Sequence, residues 1–299
     1  MKNGKVYIVL IISMIFWGFS FVWAKVALET YSPISVVLLR LIVSSVAIFI
    51  FVKISRIKIR LLKKDIKLFI LLAFFEPFLY FLGETFGLQR VSATTASVII
   101  STIPIFVPIF AFILFREKLS FINITGSIVS FIGVLIIIFN KNFSLDASLS
   151  GVLLMMVAVF AATGYSLVVK NITERYNPVI IVLFQSSFAI LGFFPLFLIF
   201  DLNNFLSIEH NSNSIIAIIQ LGIFASSIAF ILFAYGIRKI GVSKAGFFSN
   251  LIPIFTAIIA FFLLDERLSI IKYIGIAIVI LGLFLSQINS IKFGFKQSK

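Results

Sequence analysis

Apolar runs of about 20 residues alternate with short polar breaks along nearly the whole chain. A run of that length crosses the ~30 Å hydrocarbon core as a helix. Ten spans are predicted: 6–28, 34–53, 67–88, 94–115, 121–139, 150–170, 179–200, 214–237, 243–264 and 270–288. Glycine, proline, asparagine or charge marks each junction, as at Tyr31-Ser32-Pro33, Lys141-Asn142 and Tyr176-Asn177-Pro178. Lipid offers the backbone no hydrogen-bond partner, so the runs must be helices; strands of a membrane barrel would alternate and be half as long. The first run, Val6 to Ala24, lacks a clear small-residue cleavage site and reads as a retained anchor. The fold class is an all-α polytopic membrane protein.

The pattern also repeats itself. Ser101 to Ser120, STIPIFVPIFAFILFREKLS, recurs 149 residues later as NLIPIFTAIIAFFLLDERLS, Asn250 to Ser269, with eleven of twenty positions identical. Gly87/Gly236, Gly126/Gly275 and Gly133/Gly282 keep that offset, whereas Lys25/Lys170 and Pro33/Pro178 match at 145. Residues 5–140 and 148–288 are therefore expected to be two homologous five-helix repeats. An odd number of spans per repeat makes the second enter the membrane from the opposite side. The expected architecture is ten transmembrane helices in two inverted five-helix repeats, an arrangement used for alternating access to a midplane site.

Composition agrees with this and charge adds an orientation. Mean hydropathy is +1.20 and only 12% of residues are charged. The formal net charge of +14 does not point to nucleic acid, because most of it lies in loops beside spans. With the N-terminus inside, inner segments carry 19 Lys and Arg and outer loops 5, while Arg40 lies within a span. The positive-inside rule then predicts cytoplasmic N- and C-termini in the cell membrane. The segment Lys53 to Lys67 alone holds seven basic residues and reads as a topology signal and a contact for anionic lipid.

Several of these features together resemble the EamA domain of the drug/metabolite transporter superfamily. They are Trp17-Gly18 followed by Lys25, the Ile-Pro-Ile-Phe helix in each half, the Glu-Lys-Leu-Ser and Glu-Arg-Leu-Ser turns, and the glycines seven apart after them. The resemblance covers about 5 to 288. It implies ten helices in two inverted repeats around a central cavity, and export of amino acids, related metabolites or drugs. Ala162-Thr163 stands where Trp17-Gly18 would align, so the halves are not equivalent.

Three ionisable residues fall inside spans: Arg40, Glu76 and Glu84. A charge at the bilayer centre costs about 3 kcal/mol on insertion scales, so each must face a cavity or a partner. Glu76, Tyr80 and Glu84 are four apart and share one helical face. Arg40 lies at a depth similar to Glu84, so an Arg40–Glu84 ion pair is expected, serving either coupling or mutual neutralisation. Glu76 either binds a proton or a substrate amine, or is a carboxyl hydrogen-bonded between helices. It precedes Pro77, which opens the helix and leaves a carbonyl free.

Pro104 and Pro253 sit mid-span, where proline removes a helical hydrogen bond and clashes with the carbonyl of Ile100 or Ser249. Such kinks either line a cavity or are absorbed by packing. Ser101 and Asn250 are equivalent polar neighbours of these kinks. Trp17, Trp23, Tyr80, Tyr165 and Tyr235 are candidates for an aromatic lining, or are lipid-facing or core. Gln185 corresponds to Arg40. The expected substrate-binding set is thus Glu76, Tyr80, Trp17, Ser101, Tyr165, Gln185 and Asn250. Glu117 and Glu266 are expected to shape turns before the helix caps Ser120 and Ser269, and Gly126, Gly133, Gly275 and Gly282 to let helices pack closely.

No metal-ligand cluster, nucleotide loop or nucleophile–base pair is evident, and the chain has no cysteine. The expectation is a secondary transporter of small metabolites, not an enzyme, with no cofactor or metal and acting as a monomer. Its partners are a small-molecule substrate and lipid, with no nucleic acid. A nucleotide-sugar or organic-phosphate exchanger and a lipid-handling membrane protein are the alternatives.

Overall fold

The computed structural model describes residues 4–115, 121–139 and 147–296. The turn residues Glu117 and Ser120 lie outside them. The described residues form helices joined by turns, without a strand. In chain order these are α1 (Gly4–Leu28), α2 (Pro33–Ile54), α3 (Ile66–Ala73), α4 (Tyr80–Leu88), α5 (Ala93–Ile100), α6 (Ile103–Phe115), α7 (Phe121–Ile138) and α8 (Leu149–Thr173). There follow α9 (Pro178–Phe200), α10 (Leu202–Ser207), α11 (Ser212–Gln220), α12 (Phe230–Ile240), α13 (Val242–Phe247), α14 (Ile252–Leu263) and α15 (Ile270–Lys296).

Among the described residues eight helical stretches are long and apolar enough to cross a membrane, and the shorter apolar helices Ile124–Ile138 and Ile270–Ser286 lie where the fifth and tenth spans are expected. The chain is a multi-pass membrane protein. Large apolar side chains cover its outside, among them Phe121 at 82% exposure, Ile199 at 72% and Phe200 at 70%. Charged and amide side chains are withdrawn inward instead: Arg40, Glu84, Gln185 and Asn250 are all buried. That inversion of the soluble pattern is what lipid as solvent requires.

The predicted junctions are helix caps. Ser32 accepts from the Ser35 N–H and starts α2 with Pro33 at its first position. Asn177 accepts from the Val179 N–H and starts α9 with Pro178 in the same place. Proline there costs nothing, because the first helical N–H has no intrahelical partner anyway.

Two spans are not continuous α-helix. Between α3 and α4 the stretch Phe74–Leu79 is π-helical, with Glu76 in an extended conformation (φ −146°, ψ 118°); the Glu76–Pro77 peptide is cis. Between α11 and α12 the stretch Leu221–Ala229 is also π-helical. It covers the positions 149 residues after the first interruption. Two further spans pause before their prolines, at Ser101-Thr102 and at the 3₁₀ turn Phe248–Leu251. Pro104 and Pro253 each become the second residue of a restarted helix, α6 and α14, rather than a mid-helix kink.

Close helix contacts fall at the repeated glycines. A Cβ on Gly126 would lie 2.2 Å from the Ser286 nitrogen, and one on Gly282 would lie 2.3 Å from the Ser130 nitrogen. The α7–α15 pair approaches backbone to backbone through these positions and through Gly133 and Gly275. Gly87 meets Met155 of α8, while its counterpart Gly236 meets Leu10 of α1. The third span of each half thus packs on the first span of the other.

The connections sort into two groups. Thr30, Tyr31 and Ser32 bond residues 201–214, and Ala93 and Thr94 bond Glu266. At the far end of α2, Leu62 and Asp65 bond Arg175 and Tyr176. The polar 201–213 connection contains a short helix, α10, which the sequence pattern did not predict.

Candidate functional site

The broken third span places a polar cluster in the interior. Arg40, on α2, is 2% exposed and its Nη1 lies 3.6 Å from Oε2 of Glu84 on α4. Its Nε donates to Ser226 Oγ at 2.9 Å, and its guanidinium carbon lies 4.0 Å from the centre of the Phe81 ring. Tyr80 donates to Glu84 Oε1 at 3.3 Å, one helical turn away. Tyr165, on α8, donates to Gln185 Oε1 of α9 at 3.4 Å. Glu76 lies within electrostatic range of Glu84 and Arg40, and also of Tyr165. Among the described residues its carboxylate receives no hydrogen bond, and it is 8% exposed.

Arg40, Glu76, Tyr80, Glu84, Tyr165 and Gln185 therefore form one buried set drawn from four helical spans. With both acids ionised it holds one positive and two negative charges. Burial makes that imbalance expensive. A proton or a bound cationic group corrects it.

Other candidates lie elsewhere. Trp17 packs edge-on against Phe230 and Phe233 of α12. Its neighbour Gly18 lets α14 pass close, since a Cβ there would sit 2.7 Å from Phe255 Cβ. Ser101 donates to the Val98 carbonyl of its own helix. Pro104 borders an apolar cleft of about 180 Å³ with Pro108, Ile124 and Ile128. Trp23 stacks on Phe19, and Tyr235 is 37% exposed with Lys239 over its ring. Asn250 is 1% exposed, and neither its amide nitrogen nor its oxygen has a partner. A buried amide left with both groups unmet is costly unless water or a ligand reaches it.

The sequence reading missed Ser226. It belongs to a Ser226-Ser227 pair in the middle of the eighth span, 149 residues after Pro77-Phe78. Ser227 bonds Ser44 Oγ at 2.8 Å and the Gly222 carbonyl at 2.7 Å, tying the second π-helical stretch to α2. Comparing the two halves at these positions would have found it.

The ends of the molecule carry the other omissions. Glu266 does more than shape its turn. Its carboxylate accepts from the Ala93 N–H at 2.7 Å, the Thr94 N–H at 3.2 Å and the Thr94 hydroxyl at 2.8 Å. With Ser92 capping the Thr95 N–H, the first three donors of α5 are met, one of its caps coming from the opposite half. Asp201 accepts from the hydroxyls of Ser32 and Ser35 at the start of α2. Asp65 accepts from Tyr176 Oη at 2.7 Å and Arg175 Nη1 at 2.9 Å. Burial, then donation to Asp65, push the Tyr176 phenol above its ordinary range, so it stays a donor at neutral pH.

Comparison with known proteins agrees with this layout. A solved crystal structure superposes with a TM-score of 0.67 at 15% identity, over 93% of this chain and 98% of that one, which speaks to the fold. An uncharacterized transporter of Archaeoglobus fulgidus is 29% identical over 94% of this chain and 98% of its own length. The uncharacterized transporter YetK of Bacillus subtilis is 26% identical over 96% and 88%. A chloroplastic WAT1-related protein of Arabidopsis thaliana is 26% identical over 93% of this chain and 68% of its own. The EamA-like transporter family matches twice, at residues 4–139 and 149–288. With nearly the whole chain covered by two copies of that domain, the protein belongs to the EamA-like transporter family.

Proposed function

We propose that the protein is a secondary transporter that exports small metabolites, amino acids or related compounds, across the cell membrane, with both termini cytoplasmic. Two inverted five-helix repeats would expose the interior alternately to each side. The cross-packing of Gly87 on Met155 and Gly236 on Leu10, at equivalent positions, supports that symmetry. The 149-residue offset of the two π-helical stretches supports it too.

The observation that carries the reading is the buried set of one guanidinium and two carboxylates beside an interrupted helix. Glu76 is the group available to a substrate ammonium or a proton, since Glu84 is engaged by Arg40 and Tyr80. Asn250 offers an amide to a polar substrate group. An organic-phosphate exchanger is less favoured, because Arg40 already faces Glu84, Ser226 and the Phe81 ring. Counterflow of a labelled amino-acid and metabolite panel in proteoliposomes, with and without a pH gradient, tests the proposal. Saturable exchange of one amine-bearing compound is expected. Exchange confined to phosphate esters would favour the alternative, and no saturable flux would favour a lipid-handling role.

A further inference from the structure

A cavity of about 330 Å³ opens where the 54–66 connection meets the turn between α8 and α9, lined by Lys58, Arg60, Leu62, Arg175, Tyr176 and Asn177. It is separate from the Arg40 set, which lies within the spans. Lys58, Arg60 and Leu62 are two residues apart, the period at which an extended chain turns side chains to one face. Leu62 has extended dihedrals (φ −77°, ψ 134°), and residues 57–62 form no helix. On the other face Ile57 and Leu61 pack against the core, while Ile59, between Lys58 and Arg60, is exposed. Lys58, Arg60 and Leu62 thus line the opening while Ile57 and Leu61 face the protein.

Among the described residues no carboxylate lines the cavity. Of the nearby acids, Glu174 is exposed but does not line the cavity, and Asp65 is 4% exposed and turned inward, where it holds Arg175 and Tyr176. It fixes Arg175 at the rim while leaving that side chain 44% exposed. Three cations from two distant parts of the sequence thus surround one opening at the end of the spans. The same connection and the helix end leading into it also carry exposed apolar side chains, Ile59 at 45% and Ile54 at 77% exposure. A ligand fitted to both features has an anionic phosphate and apolar chains.

We propose that this opening binds the phosphate of an anionic phospholipid headgroup, with Lys58, Arg60 and Arg175 as its cationic contacts and Ile54 and Ile59 against the acyl chains. Basic pockets between spans at a membrane surface hold such headgroups by the same electrostatics. A bound headgroup joins the 58–62 stretch to the 175–177 turn, one from each half of the duplicated sequence. It reinforces the link that Asp65 makes with Arg175.

The test uses the full-length protein in a neutral detergent, titrated with phosphatidylglycerol, phosphatidylcholine or inorganic phosphate and read by native mass spectrometry and melting temperature. Phosphatidylglycerol is expected to bind and raise the melting temperature, and the other two to do neither. Lys58→Ala/Arg60→Ala is expected to weaken phosphatidylglycerol about 30-fold, as two lost surface cations imply. Lys63→Ala/Lys64→Ala removes equal charge from exposed residues outside the cavity and should leave binding nearly unchanged. All four side chains are exposed, so an unchanged helical circular dichroism signal is expected of both variants. Equal losses in the two variants would overturn the site in favour of a diffuse basic surface. Inorganic phosphate binding as tightly as the lipid would overturn the lipid assignment, and equal binding of phosphatidylcholine, whose phosphate is balanced by its own ammonium, would overturn the selection of an anionic headgroup.

Discussion

Arg175 donates to Asp65 across 2.9 Å, tying the turn before α9 to the connection before α3. The residues at the corresponding positions of the repeat, Thr30 and Ser214, also meet, at 2.8 Å. The two contacts are separated by the length of α2, which at 22 residues is ~33 Å. Their neighbours correspond as well: Tyr176 bonds Asp65, and Tyr31 shares a hydrogen bond with His210 at 2.9 Å. The same repeat positions close opposite ends of the molecule, one through an ion pair and the other through a hydroxyl pair and the His210 ring. In the proposed cycle each end opens while the other stays closed.

The ion-paired contact should be the harder to break. Asp65→Ala strands the buried Tyr176 phenol and releases Arg175, and is expected to cost about 1–3 kcal/mol. Thr30→Val at the other end should cost about 1 kcal/mol or less. Melting curves of the two variants in the same detergent check the order.

Arg40 and Glu84 should be strongly non-additive. Removing Arg40 leaves Glu84 and the nearby Glu76 buried without a counter-charge, at about 3–5 kcal/mol, whereas removing Glu84 along with it is milder. A double-mutant cycle of Arg40→Met and Glu84→Met, followed by denaturant unfolding, should show the double variant more stable than Arg40→Met alone.

Glu76→Gln keeps the side-chain shape and removes its charge and titration. Counterflow is expected to fall at least tenfold, and the residual flux to lose its dependence on pH. The fold should survive, since no described residue donates a hydrogen bond to this carboxylate. Unchanged flux and pH profile would remove Glu76 from the mechanism.

The α7–α15 contact should tolerate no side chain at its tightest points. Gly126→Ala and Gly282→Ala each place a methyl against backbone of the facing helix, which cannot yield as a side chain can. Each is expected to destabilise by about 1–3 kcal/mol. Gly246→Ala, with nothing within 4 Å, serves as the neutral control in the same melting experiment.

Much of this was legible in the sequence because lipid leaves few options. Span length, the capped Tyr31-Ser32-Pro33 and Tyr176-Asn177-Pro178 junctions and the glycines of α7 and α15 follow from local rules. Glu76, Glu84 and Arg40 stood out because charge within a span demands a partner. What escaped was long-range. Glu266 gave no sign that its acceptors would reach the start of α5, 173 residues away in sequence. Ser226 is one serine among many until Arg40 finds it. The prolines were misjudged for a physical reason: the helix stops at Ser101-Thr102 and at Phe248–Leu251, so proline begins a segment instead of bending one.

Alternating access itself is tested most directly by the reach of a thiol reagent. The chain has no cysteine, so Gln185→Cys places a single thiol in the buried set. Oriented vesicles would be treated with a membrane-impermeant maleimide from one side at a time. Adding Glu266→Ala, which frees the start of α5, is expected to raise labelling from the outer side, and adding Asp65→Ala to raise it from the cytoplasmic side. Labelling confined to one and the same side in both variants would contradict the account.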